Sequence, residues 1–98
     1  MMCPKKYAAL LKEEDYYRSQ YSVIITLKVT DAPDTIHYSD RRIHTAIMKI
    51  HGSHSVFADA PEFKSDEDGA FYTQSDAMLN ARIKLIDWFK DMEAKDLV

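Results

Sequence analysis

Residues 39–51 read Ser39-Asp40-Arg41-Arg42-Ile43-His44-Thr45-Ala46-Ile47-Met48-Lys49-Ile50-His51, and Gly52 follows. Ile43, Ala46, Ile47 and Ile50 stand at i, i+3, i+4 and i+7, the apolar stripe of an amphipathic helix. Ser39 or Asp40 suits its N-cap, and Gly52 stands where a left-handed terminating residue belongs. As a strand, the same stretch would put Arg41, Ile43, Thr45, Ile47 and Lys49 on one face, with Arg42, His44, Ala46, Met48 and Ile50 on the other. Neither face is wholly apolar. The spacing and caps predict a helix over 39–51, with a long strand in a meander as the other reading. The two differ at one pair of residues: Ile43 and Ile50 are buried together on a helix and part to opposite faces on a strand.

The same stretch carries most of a ladder. Ile36-His37, Ile43-His44 and Ile50-His51 are seven residues apart, and His54 follows. On a helix that step separates the imidazoles by about 10.5 Å along the axis, too far for one shared ion. His51 and His54 have a tighter spacing, but no third ligand is fixed. The spacing assigns no metal and no cofactor.

Working outward, residues 21–30 (YSVIITLKVT) form the clearest strand. Tyr21, Val23, Ile25, Leu27 and Val29 point one way, Ser22, Thr26, Lys28 and Thr30 the other, and Ile24 is the exception. Asp31-Ala32-Pro33-Asp34 closes it with turn residues. Residues 4–17 predict a helix opened by Pro4, with Tyr7, Leu10, Leu11 and Tyr17 near one side. Glu13, Glu14 and Asp15 sit toward its unfavourable end, so an early stop is expected. Residues 54–59 and 70–73 are read as short strands around an acidic loop, with Asp68-Gly69 in a wide hairpin. The longest apolar stripe runs over 75–95 through Met78, Ala81, Leu85, Trp88, Phe89 and Met92, capped by Ser75 or Asp76. A stripe that wide belongs across a sheet. The fold class is therefore α+β: a small antiparallel sheet built on core strand 21–30, covered by helices 75–95 and 4–17. With 98 residues, the chain 1–98 is expected to be a single compact domain.

Composition narrows the function. The only cysteine is Cys3, which rules out an internal disulfide and a cysteine metal cluster. No apolar run approaches the ~20 residues of a membrane span. The expected setting is the cytoplasm, or a host cytoplasm if the chain is phage-encoded. Two glycines cannot build a phosphate-cradling loop, and no nucleophile elbow or Walker motif occurs. An enzyme is not expected; a small enzyme or His-dependent metal protein is the least supported reading.

Charge is uneven. Residues 1–54 carry eight Lys/Arg against six Asp/Glu, and residues 55–98 carry five against ten. The acidic set Asp59, Glu62, Asp66, Glu67 and Asp68 is the candidate docking patch for a protein partner. Five tyrosines, Tyr16, Tyr17, Tyr21, Tyr38 and Tyr72, are too many to bury in so small a core, and interfaces favour Tyr. The edge of strand 21–30 also leaves room for a homodimer. The alternative is a nucleic-acid-binding module using the basic run Arg41, Arg42 and Lys49. The net charge of −3 opposes it.

The stretch Gly69 to Phe89 (GAFYTQSDAMLNARIKLIDWF) resembles the end of HicB-type antitoxins, where a short strand, a polar turn and an alanine-bearing helix follow one another. It covers about a fifth of the chain. The Pro-Asp-Leu-Pro-Gly segment that marks that family is absent; Ala60-Pro61-Glu62-Phe63 stands here. Helix-on-sheet packing is also similar to that of double-stranded-RNA-binding domains, but this helix opens Ser75-Asp76 without their basic start. No residue role is carried over from either. The sequence leads to a small non-enzymatic protein-binding protein of bacterial or phage type. It would be an inhibitor or antitoxin-like accessory, with an anti-defence inhibitor of a nucleic-acid-handling complex within that class.

Overall fold

A computed structural model describes residues 4–38, 40–67 and 70–98. The order of elements is α1 (Pro4–Gln20), β1 (Ile24–Pro33), β2 (Arg42–His51), α2 (Ser55–Ala58), β3 (Phe63–Lys64) and α3 (Gln74–Ala94). The strands form one antiparallel sheet in the order β1-β2-β3. α3 lies across β2 and β3, and α1 packs on α3. The α+β class is as the sequence predicts, with a long C-terminal helix and an N-terminal helix over a small sheet.

In place of the helix expected over 39–51, the chain forms strand β2 over 42–51. β2 pairs with β1 along ten rungs, from Ile24 opposite His51 to Pro33 opposite Arg42. That ladder satisfies backbone groups which β1 would otherwise leave unpaired, a requirement that outweighs local spacing. The side chains sort with period two. Ala46, Met48 and Ile50 are buried under α3, while Ile43 and Ile47 are half-buried on the opposite face. Ile43 and Ile50 therefore part. Gly52 ends no helix, and its φ is not positive. Its missing side chain is what matters: a Cβ there would meet Val23 Cγ1 and Phe57 Cδ2 at 3.0 Å.

Three smaller readings also change. Residues 54–59 give the helical turn α2, with the His54 ring accepting from the Val56 N–H. Residues 70–73 are not a strand, although the His44 N–H donates to the Phe71 carbonyl at 2.8 Å. Among the described residues the only strand after β2 is the two-residue β3. The proposed Asp68-Gly69 hairpin, like Cys3 and Ser39, lies outside the described residues. Thr73, rather than Ser75 or Asp76, caps α3, its Oγ1 accepting from the Asp76 N–H.

α1 runs past residue 17 because its acidic cluster has partners. Glu14 is buried against Arg82 and also meets Arg18. The helix closes with Ser22 in the left-handed region (φ 52°) and the Val23 N–H bonded back to the Arg18 carbonyl, a Schellman-type end. Val23, Tyr17 and Phe57 then join Leu85, Ile86 and Phe89 of α3 in the core. Tyr17 stacks on Phe89 with centroids 4.8 Å apart. Burial first, and then the hydrogen bond to Glu93, push the Tyr21 hydroxyl up to about 12.

Candidate functional site: the tip of the β1–β2 hairpin

β1 and β2 are joined by the segment between Pro33 and Arg42, which projects as the tip of a long hairpin. Pro33 ends the ladder as a donorless residue, and the Asp34 N–H makes the last bond, to the Arg41 carbonyl at 3.1 Å. Beyond that rung the chain turns on the Asp34 side chain, which has no exposed surface. Its Oδ1 accepts from the His37 backbone N–H at 2.9 Å and lies 3.2 Å from His37 Nδ1. Its Oδ2 accepts from the Tyr72 hydroxyl at 2.5 Å. An Asp bonding a backbone N–H three residues on is a local turn device. The Tyr72 bond adds something non-local. It ties the turn to the segment leading into α3, which is itself held by the bond from His44 to Phe71. The Arg41 guanidinium lies over the Tyr72 ring, 5.1 Å from its centroid.

Above this clip, Ile36 is 69% exposed and Tyr38 94% exposed. Tyr38 holds a left-handed backbone, φ 54°, a conformation that costs a non-glycine residue about 1–2 kcal/mol. The tip thus spends backbone strain to aim two large apolar side chains at solvent from a fixed base.

The electrostatics suit holding more than proton transfer. Burial opposes ionisation of Asp34, but the bonds from Tyr72 and from the His37 backbone and ring outweigh it and hold the carboxyl below its ordinary value. The bond to Asp34 pushes the Tyr72 hydroxyl above its own. A general acid or base works best with a pKa near the operating pH, and these two groups move away from neutrality in opposite directions.

The described acidic candidates lie on either side of β3, and two of them are engaged. Asp66 meets Lys84 at 2.6 Å and exchanges hydrogen bonds with Asn80. Glu67 meets Lys64 at 3.0 Å. The Lys84 bond and then the Asn80 bond lower the Asp66 carboxyl, and the Lys64 bond lowers that of Glu67. Asp59 and Glu62 are exposed and have no ion pair among the described residues. Asp68 lies outside them.

The basic candidates do not share a surface. Arg42 faces the helical side of the sheet and is paired with Asp31 at 2.5 Å. Arg41 is engaged at the tip. Lys49 points to the open side, one residue out of phase with Arg42's face. The histidines separate likewise: His37 at the tip, His44 facing the helices, His51 beside Thr26 on the open side, and His54 capping α2. Among the described residues no group of three His, Cys, Asp or Glu is placed to hold a metal.

Sequence reasoning placed Tyr38 among tyrosines that cannot all be buried, but it did not single out Ile36 or the Asp34 clip. The available signal was Asp34 three residues before His37, directly after a strand-ending proline. Tyr72, 38 positions later, gives no local sign of its role. No helix of the described residues is long and apolar enough to cross a membrane. No family model matches the chain, and no curated protein and no solved structure was found to be similar to it.

Proposed function

We propose that this chain is a small non-enzymatic protein-binding protein, of inhibitor or antitoxin-like accessory kind, and that it grips its partner with the hairpin tip. One observation carries the reading: Ile36, largely exposed, and Tyr38, almost fully exposed, stand on a turn whose base is fixed by a buried carboxylate. Exposed apolar side chains gain when a partner covers them. Holding them in place beforehand removes part of the entropy cost of binding. Tyrosine is among the residues that dominate interface energetics. Asp59 and Glu62, exposed and with no ion pair among the described residues, supply charge for steering toward a basic partner.

The test is affinity capture from the native host with three forms of the chain: wild type, Ile36→Ser/Tyr38→Ser, and Asp59→Asn/Glu62→Gln. The tip variant should melt no lower than wild type and lose the captured partner. The charge variant should keep the partner and bind it more slowly. Equal affinity of the tip variant and wild type for the same partner would sink the reading.

A further inference from the structure

β1 is an edge strand of the sheet. The Asp34 N–H donates to Arg41 across the ladder. In an antiparallel pair such rungs recur every second residue, so the even-numbered residues of β1 bond inward to β2. Two bonds on the far side of β2 agree: the His44 N–H reaches Phe71, and the Ala46 carbonyl accepts from Ser65, both even-numbered residues turned away from β1. The backbone groups of Ile25, Leu27, Val29 and Asp31 therefore point out of the sheet. Among the described residues no backbone partner meets them.

The side chains of the same residues lie on the helical side, opposite Ile50, Met48, Ala46 and His44. α3 covers β2 and β3 and leaves the edge thinly roofed. Leu27 remains 41% exposed, although it faces the layer that should bury it. A row of unpaired backbone groups beside an under-covered apolar row is the arrangement that strand addition completes.

We infer that two copies of this chain join edge to edge through β1, antiparallel about a twofold axis at Leu27, giving one continuous six-stranded sheet. The register follows from chemistry. With the axis at Leu27, Leu27 meets Leu27 and Ile25 meets Val29, all with outward backbone groups. On the open side Lys28 meets Thr26. An axis at Lys28 would set Lys28 against Lys28 and Ile25 against Asp31, a like-charge contact and an unmatched one. An axis at Val29 would oppose Leu27 to Asp31 and Ile25 to the donorless Pro33. An axis at Ile25 would run the pairing into the turn at Tyr21-Ser22 that leads out of α1. An axis at Thr26 would pair Ile25 with Leu27 but set Val29 against Val23, which is buried and bonded back to Arg18. The Leu27 register leaves only Asp31 opposite Val23 and pairs Ile25, Leu27 and Val29, the three apolar outward residues, with one another.

This dimer stands apart from the proposed tip function and also extends it. The two hairpins would point in opposite directions. At about 3.4 Å per residue the seven residues from Leu27 to Asp34 put the two tips on the order of 50 Å apart, presenting a divalent surface.

Sedimentation equilibrium from micromolar to millimolar concentration should show a dimer for wild type and a monomer for Leu27→Lys, with the helical circular dichroism of both alike. Cross-linking fixes the register in a Cys3→Ser background. Leu27→Cys should oxidise to a covalent dimer, because facing Cα atoms of such a rung lie about 5.5 Å apart, within disulfide reach. Ile25→Cys alone should not, since its copies would sit four residues out of step, but Ile25→Cys mixed with Val29→Cys should. A wild type that is monomeric throughout overturns the inference, as does a Lys28→Cys chain that cross-links as readily as Leu27→Cys. The Ile36→Ser/Tyr38→Ser chain should remain dimeric, so loss of partner and loss of dimer are read separately.

Discussion

Arg82, in the middle of α3, reaches Glu14 of α1 with Nε to Oε2 at 2.9 Å, and both side chains are almost wholly buried. Arg82 Nη1 also lies 3.4 Å from the Tyr7 hydroxyl, and Arg18 lies 3.5 Å from the other Glu14 oxygen. This polar knot and the aromatic stack of Tyr17 on Phe89 help hold α1 to α3, together with the Glu13–Lys90 ion pair. Removing one member of a buried pair leaves the other charge desolvated and unmatched, typically at a cost of about 3–5 kcal/mol. Glu14→Ala should lose stability in that range in urea unfolding. Glu14→Gln, which still accepts from Arg82, should lose less.

A second dependence joins β2 to the loop after β3. β3 has only two residues, paired with Ile47 and Met48, so the Ala46 N–H lies beyond it. Ser65 replaces the missing strand: its Oγ accepts from the Ala46 N–H at 3.0 Å, while its own N–H donates to the Ala46 carbonyl at 2.9 Å. Both residues are buried. Ser65→Ala should cost about 1–3 kcal/mol, the penalty of a buried donor left without an acceptor. Hydrogen exchange at the Ala46 amide should quicken more than at Met48.

These two contacts show what was legible in the sequence. α3 was legible as one broad stripe from Met78 to Met92 that packing does not contradict. β1 was legible as a strand by its alternation from Ile25 to Val29, but not in its place. It runs over 24–33, through the expected turn at Asp31-Ala32-Pro33, and it is an edge strand with no buried residue where a core strand over 21–30 was expected, because α3 lies over β2 and β3 instead. β2 was not legible, because Ile43, Ala46, Ile47 and Ile50 satisfy a helical period by coincidence. What decides between the readings is the backbone need of β1, which lies outside the segment. The open face of the sheet keeps Ile24, Ile43 and Ile47, so polarity alternation could not mark β2 as a strand. The clip at the tip was illegible for another reason. Asp34 and Tyr72 meet only after β1, β2 and the segment before α3 have been assembled.

The clip gives a prediction with a sign. The Asp34 carboxyl is held below its ordinary value, so its contribution is present above the unfolded-chain pKa of about 3.9 and is lost as pH falls through the lower folded value. Tyr72 is shifted upward, so its contribution is present below about 10 and is lost as pH rises through the higher folded value. Between those limits neither group should titrate. Carbon chemical shifts of the Asp34 carboxyl and the Tyr72 ring should stay flat across neutral pH. Asp34→Asn should loosen the tip at every pH, seen as faster exchange of the His37 amide. A carboxyl transition near neutrality would instead identify an acid–base group.

Among the described residues three non-glycine positions have left-handed backbones: Ser22, Tyr38 and Asp96, with φ of 52°, 54° and 59°. Ser22 and Asp96 each follow a helix, and the Leu97 N–H returns to the Met92 carbonyl just as Val23 returns to Arg18. Glycine is the residue such helix ends favour. Ser22→Gly and Asp96→Gly should each stabilise the fold by up to about 1 kcal/mol, the relief of left-handed strain offset by the freer unfolded chain. Tyr38 has the same strain but no helix to terminate. Its side chain is almost fully exposed, so Tyr38→Gly removes little packing and relieves the same backbone cost. If the tip exists to present that ring, Tyr38→Gly should melt at or above the wild-type temperature and bind the captured partner markedly more weakly. Ser22→Gly should show the first effect without the second. Opposite movement of stability and binding at one residue is the signature of strain kept for function. Unchanged binding by Tyr38→Gly would leave the tip as an ordinary, poorly chosen turn.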